Sequence, residues 1–377
     1  MRDQTRIPCV LMRGGTSKGT YFLAEDMPPD SETRDRVLLA VMGSPEPRQV
    51  DGAGGGHPLT SKVAIVSRSA RADADVDYLF AQVAVGKASV DISPTCGNIL
   101  AGIGPFAIER GLVAAKDGET EVRIYMVNTD SLCIARISTP GGEVAYEGDA
   151  SISGVNGTSA PVLLEFLGIE GSNCGALLPT GNLRDTIDGV DVTCIDNGMP
   201  VVMVAARDMG VTGYELPDEL NRNTALKAKL EVLRLKVGPM MNLGDVSQKV
   251  VPKMTLVAPA REGGAVCTRT FIPHVCHEAI GVLGAVSVAT ALVMEGAVGA
   301  DLSTARVDVS GRAAVSVEHP TGEFTVDLLT RRENGGIRVD RAALLRTARS
   351  LFEGDVLIPR SVWSPAATTP KPAAVAA

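Results

Sequence analysis

The stretch Pro94-Thr95-Cys96-Gly97-Asn98-Ile99-Leu100-Ala101-Gly102-Ile103-Gly104-Pro105-Phe106-Ala107-Ile108 sets the reading of the whole chain. A lone cysteine stands where a loop of small polar residues runs into a long apolar segment, the layout of a helix N-terminus. Unpaired backbone N–H groups and the helix dipole favour an anion there, and they favour a thiolate. Cys96 is therefore a candidate acid–base group, and the apolar run to about Val113 reads as one buried helix. The amides and side chains of Thr95, Gly97 and Asn98 are candidates to hold the carboxylates of an anionic ligand.

Composition sets the outer bounds. The chain has 377 residues, 45% hydrophobic and 21% charged, which is enough for a large core and, by length, for two domains. A net charge of -8 argues against nucleic acid, which needs a basic face, so an anionic substrate must be held by local cations and amides. Seven cysteines with no CxxC pair, and no apolar leader at the N-terminus, point to a reduced, cytoplasmic protein. From Ala279 to Ala300 the chain is almost wholly apolar, near the ~20 residues a bilayer requires. Yet it carries Glu295, is built of Ala, Gly and Val, and lacks aromatic or basic flanks, so it reads as a buried helix and no membrane partner is expected.

Working outward, a strand over Ile7 to Met12 is followed by a tight turn, Arg13-Gly14-Gly15-Thr16-Ser17-Lys18-Gly19, and by a second strand, Tyr21 to Leu23. Glycines in such a turn can aim several N–H groups inward as an anion nest, though the spacing does not match a nucleotide-binding loop. Asp30 to Met42 has the apolar spacing of an amphipathic helix, stopped by Gly43-Ser44-Pro45. A glycine-rich loop from Asp51 then delivers Lys62 to the start of a strand over Val63 to Val66.

Further strands fit 76–80, 81–85, 122–127, 132–137 and 162–166. A second round of the same kind begins near Val190. It has strands at 191–196 and 201–204 joined by Asn197-Gly198, a helix over 223–235, strands at 253–257 and 265–271, the apolar helix, and strands at 314–317 and 323–328. The two apolar helices each follow a polar loop, which implies one plan used twice with both helix N-termini facing a shared cleft. The expected domains are 1–189, joined by a returning C-terminal strand at 354–363, and 190–353, with a disordered Pro- and Ala-rich tail over 366–377.

The strings Leu11-Met12-Arg13-Gly14-Gly15-Thr16-Ser17-Lys18-Gly19, Leu59-Thr60-Ser61-Lys62-Val63-Ala64, Cys96-Gly97-Asn98-Ile99-Leu100-Ala101-Gly102, Met241-Asn242-Leu243-Gly244-Asp245-Val246 and His319-Pro320-Thr321-Gly322-Glu323-Phe324 resemble the PrpF family of isomerases, in the same order and over nearly the whole chain. The resemblance implies the α+β, diaminopimelate epimerase-like fold: two similar domains, each a curled, mostly antiparallel sheet around a central helix, with the active site in the cleft between them. It implies proton transfer by a lysine and a cysteine, which fall on Lys62 and Cys96, with no cofactor. Within the family the sequence is most similar to the 4-oxalomesaconate tautomerases and isomerases of gallate, protocatechuate and lignin-aromatic breakdown. The 2-methylaconitate isomerase branch is the nearest competitor, and a non-catalytic protein that binds such acids is the other alternative. The second-domain thiol of diaminopimelate epimerase is replaced here by Ile280, which disfavours two-thiol racemisation.

The implied chemistry is removal and return of one proton on an unsaturated tricarboxylate. It needs a base near neutrality, donors aimed at the enolate oxygens, and exclusion of water. Candidate substrate-binding residues are Arg13, Gly14, Gly15, Thr16, Ser17, Thr95, Gly97 and Asn98 in the first domain, and Arg269, His274 and Gly281 in the second. His274, Cys276 and His277 have no second ligand pair at suitable spacing, so no metal is expected. The remaining cysteines read as small core residues. The assembly is left open, with a homodimer as one form.

Overall fold

The computed structural model describes residues 3–333 and 336–365, so the expected tail at 366–377 lies outside the described residues. The chain forms two compact units: Met1–Asp130, Ile137–Tyr146 and Ala348–Ala377 make the first, and Ser131–Arg136 with Glu147–Thr347 the second.

In the first unit β1 (Gln4–Gly14) and β2 (Ser17–Leu23) form a hairpin, followed by α1 (Ser31–Met42), β3 (Lys62–Arg68), β4 (Val76–Val83), β5 (Val90–Asp91), α2 (Gly97–Leu100), α3 (Ile103–Glu109), β6 (Gly118–Met126) and the end of β7 (Ser131–Thr139). The turn is tighter than expected: Gly14 pairs with Ser17, leaving Gly15 and Thr16 as the loop, and Arg13 and Lys18 face each other in the ladder. The two strands expected at 76–80 and 81–85 are one, β4, since it pairs with β3 without a break from Val76 to Gln82 and has no turn residue within it. α1 begins where Asp30 accepts the Thr33 amide at 2.8 Å, a cap worth about 1 kcal/mol. It ends at Gly43 in the left-handed region, φ 77°. Its buried Val37, Leu38, Val41 and Met42 pack with Phe22, Val63 and Ile65 of the sheet.

The expected helix from Cys96 to Val113 is broken into α2 and α3. At the break a Cβ on Gly102 would stand 2.5 Å from the Tyr21 hydroxyl, an approach only glycine permits.

The second unit contains β8 (Pro161–Leu167), β9 (Asp185–Ile187), β10 (Val190–Asp196), β11 (Pro200–Ala205), α4 (Pro217–Arg222), α5 (Thr224–Met240), β12 (Lys253–Ala258), β13 (Val266–Phe271), α6 (Val282–Leu292), β14 (Arg312–His319), β15 (Gly322–Glu333) and β16 (Gly336–Pro359). Residues 147–189, expected in the first domain, fall in this unit. The reason is pairing: β8 lies antiparallel to Ala343–Thr347 of β16, and the Gly171 amide donates to the Asp196 carbonyl at 2.8 Å. The helix expected through Ala300 stops at Leu292, because Gly296 and Gly299 adopt φ of 100° and 91°. No helix of the described residues is long and apolar enough to cross a membrane.

The fold is α+β, and one plan builds both units. In the first, β1–β2 is antiparallel, β2–β3 parallel, β3–β4 antiparallel and β4–β6 parallel. In the second, β10–β11, β11–β12, β12–β13 and β13–β14 repeat that alternation in the same order. The sheets are thus mixed, with a parallel step wherever a helix is inserted, since a parallel neighbour requires a crossover. An outer helix enters before the third strand of each unit, α1 or α5. A buried one enters after the fourth, α2–α3 or α6. From Gly284 to Leu292, α6 is buried throughout. Strand β16 serves both units, with Gly336–Thr347 in the second and Ala348–Pro359 in the first, where it pairs with β1.

Candidate active site

The loop that delivers Lys62 is fixed by a buried glutamine. Gln49 Oε1 accepts the Gly56 amide at 2.9 Å and the Ser61 hydroxyl at 2.6 Å. Lys62 then opens β3, paired with Gly19 on one side and Gln82 on the other. Its side chain is nearly enclosed at 8% exposure, and Nζ lies 5.1 Å from the centre of the Phe80 ring. Nζ donates to Gln82 Oε1 at 2.7 Å. Gln82 cannot turn away, because its Nε2 donates to the Pro58 and Ser61 carbonyls, both at 3.1 Å. The amine is therefore aimed by a neutral acceptor, and no carboxylate among the described residues pairs with it. That arrangement suits a group that must exchange a proton, because it orients the amine without locking its charge.

Cys96 is the N-cap of α2, and the first amide to close on its carbonyl is that of Leu100, at 2.9 Å. The amides of Gly97, Asn98 and Ile99 consequently point out of the turn's N-terminal end. Tyr21 and Tyr78 are both buried and both lie within the field of the Cys96 sulfur. Burial first, and the neighbouring Cys96 second, push their hydroxyls well above the ordinary tyrosine range. Both therefore stay protonated. Tyr21 donates to the Ile99 carbonyl at 2.7 Å and Tyr78 to the Cys96 carbonyl at 3.4 Å, pinning the turn at two points.

The β1–β2 hairpin is common to both groups. A Cβ on Gly14 would stand 2.3 Å from the Asn98 carbonyl oxygen, and one on Gly19 would stand 2.4 Å from the Lys62 carbonyl oxygen and 3.3 Å from Ile99 Cδ1. Lys62 and the Cys96 turn thus meet the same short strand. Gly15, at φ 51°, would place a Cβ 2.2 Å from Asn98 Oδ1. A Gly15→Ala variant is expected to lose about 1–2 kcal/mol in urea unfolding from backbone conformation alone. It should also raise KM, because Asn98 is pushed away from Thr16.

Of the other first-unit candidates, Thr16 accepts from Asn98 Nδ2 at 3.0 Å, Arg13 donates to the Gly15 carbonyl at 3.0 Å, and Thr95 donates to Met126 Sδ at 3.7 Å. Ser17 Oγ and Asn98 Oδ1 are buried with no hydrogen-bond partner. Buried polar atoms are rarely left so, and a ligand that supplies the missing partners is a sufficient reason for both.

In the second unit the candidates separate. Arg269 is buried on β13, with Nε donating to the Glu215 carbonyl at 2.7 Å and Nη1 to the Thr268 carbonyl at 2.8 Å. Those bonds give it a structural task. His274 is exposed, 3.6 Å from Glu231. Gly281 is the N-cap of α6 and is also exposed. Arg269 instead borders a cavity of ≈ 430 Å³ shared with Tyr214, Arg261, Glu318, His319 and Glu323. There burial, followed by the charges of Arg346, His277 and Arg269, lowers His319 to about 4, so the ring is neutral at physiological pH. Its Nε2 is buried without a partner. His319 stands in one of the family-like strings but was given no role from sequence. Gln82, Tyr21 and Tyr78 were likewise missed, since strand register, which sets them beside Lys62 and Cys96, is not written in local pattern.

Fold and site together define an α+β protein in which the Lys62 backbone and the Cys96 turn both pack against one hairpin. The profile described as PrpF protein matches residues 4–359, and the chain belongs to the PrpF family. It is 58% identical over 360 residues to the 4-oxalomesaconate tautomerase of Pseudomonas putida, covering 96% of this chain and 98% of that one. To the (4E)-oxalomesaconate Delta-isomerase of Novosphingobium sp. it is 57% identical over 357 residues, covering 95% and 99%. The crystal structure of methylitaconate-delta-isomerase superposes with a TM-score of 0.83 at 34% identity, over 98% of this chain and 100% of that chain.

Proposed function

We propose that this chain is an isomerase of 4-oxalomesaconate, an unsaturated oxo-tricarboxylate, working without a cofactor in the breakdown of aromatic acids. The observation that carries the reading is the Lys62 amine, aimed by neutral Gln82, at the start of the strand paired with the hairpin that also meets the Cys96 turn. The names of the two relatives at 57% and 58% identity supply the substrate.

In the proposed step Lys62, as its free amine, takes a proton from the carbon next to the unsaturated system. The C–H electron pair spreads into the oxo and carboxylate groups as an extended enolate. The thiol of Cys96 then gives a proton to the far end of that system, and the resulting thiolate is reprotonated from Lys62, directly or through solvent. Nothing is oxidised, and the formula is unchanged. Hydrogen-bond donors fixed before the reaction stabilise the enolate charge. Here they are the amides of Gly97 and Asn98, with Ser17 and Thr16 beside them.

A keto–enol change and a double-bond shift both start with this proton removal, so one site serves either product. Proton NMR of 4-oxalomesaconate in heavy water with the purified protein tests the reading. One carbon-bound proton should exchange while isomer appears, with nothing else added. No conversion and no exchange would leave only a binding protein. Seven free thiols support placing the protein in a reducing compartment, the cytoplasm.

A further inference from the structure

The repeated plan places a second lysine where Lys62 stands. Lys62 is the first residue of the third strand in its unit, beside Gly19 near the start of β2. Lys253 is the first residue of β12, the third strand of the second unit's repeat, and pairs in the same parallel sense with Val201 near the start of β11. Both lysines leave a loop held by a buried polar side chain. For Lys62 that side chain is Gln49. For Lys253 it is Arg234, fully buried, whose Nη1 donates to the Val246, Lys249 and Val251 carbonyls at 2.9, 3.0 and 3.3 Å while Glu231 neutralises it.

The two lysines differ in what they find. Lys62 has Gln82. Lys253 is half-buried, and its side chain makes no hydrogen bond or ion pair among the described residues. A cation withdrawn from water without a counter-charge is costly. Burial and the Arg234 charge bring it down to about 8, so it is still mainly an ammonium at neutral pH. Beside it the loop after β13 folds back, the His277 amide donating to the Thr270 carbonyl at 2.8 Å. His277 Nδ1 accepts the Ala279 amide at 2.7 Å, which leaves Nε2 to carry the ring proton. Burial and the Lys253 charge keep this histidine neutral, so it donates without adding repulsion.

We infer that Lys253 and His277 form an anion site in the second unit that takes a carboxylate of a small polycarboxylic acid. The identity of that acid rests on the function proposed above; the site itself rests on the duplicated strand position and the unpartnered ammonium. Tricarballylate, a saturated tricarboxylate that cannot isomerise, is the probe. The full-length protein is reductively methylated with and without it, and protection is read peptide by peptide.

Lys253 should be protected several-fold at saturating tricarballylate. Lys253→Met should bind the probe about ten- to a hundredfold more weakly, the range for a hydrogen bond to a charged group. Lys253→Arg, which keeps the charge, should recover most of that loss with the same unfolding temperature as Lys253→Met. Unchanged labelling of Lys253, or wild-type affinity in Lys253→Met, would overturn the inference. Full turnover in a Lys62→Met variant would sink the proposed reaction instead and leave the Lys253 labelling result standing.

Discussion

Replacing Lys62 by methionine should lower kcat by about 10²–10⁴-fold, the contribution of a positioned acid or base, while tricarboxylate binding changes little. Methionine fills nearly the same volume beside Phe80 but can neither take nor give a proton. The substitution also strips Gln82 Oε1 of its donor, and an abandoned buried acceptor costs about 1–3 kcal/mol. Activity must therefore be compared well below the variant's unfolding temperature. Steady-state kinetics and calorimetric binding on the same preparation separate the two effects. A kcat within tenfold of wild type would show that the amine only binds.

The second large effect belongs to Cys96. Cys96→Ser keeps the size of the side chain and the cap position of α2, with the Tyr21 and Tyr78 bonds to the turn untouched. It exchanges an acidic thiol for a hydroxyl that holds its proton at any physiological pH. The expected loss is again about 10²–10⁴-fold in kcat with an unchanged fold. If the two groups act as one pair, the Lys62→Met, Cys96→Ser double variant should be scarcely worse than either alone, since partners in a single step are not additive. A loss under tenfold for the serine variant would reduce Cys96 to a packing role.

How much of this was legible in the sequence depends on what kind of information each element carries. α1 was readable to within a residue, because Asp30 and Gly43 mark its ends chemically and Val37, Leu38 and Val41 mark its face. Lys62 at a strand start and Cys96 at a helix start were readable for the same reason, as boundaries between glycine-rich loop and apolar run. The apolar segments were overextended. Apolarity reports burial and says nothing about the Tyr21 hydroxyl against Gly102, or about left-handed backbone at Gly296 and Gly299. Arg269 and His274 looked alike as cations near an apolar helix, yet one is spent on carbonyls and the other is exposed. The alternation of parallel and antiparallel neighbours, which puts Lys253 at the position of Lys62, belongs to three-dimensional pairing, and the weak identity of the two halves hid it.

The strand that closes the first unit is made last. Gln4 lies opposite Pro359 and Gly14 opposite Ala348, so β1 has its second neighbour only after residues 348–359 have left the ribosome. Until then the half that holds Lys62 and Cys96 presents a bare edge, the kind of surface on which nascent chains pair wrongly. Translation thus completes the body of the second unit before β1 gains this neighbour, and the edge of the first unit is covered last among the strand pairings of the described residues.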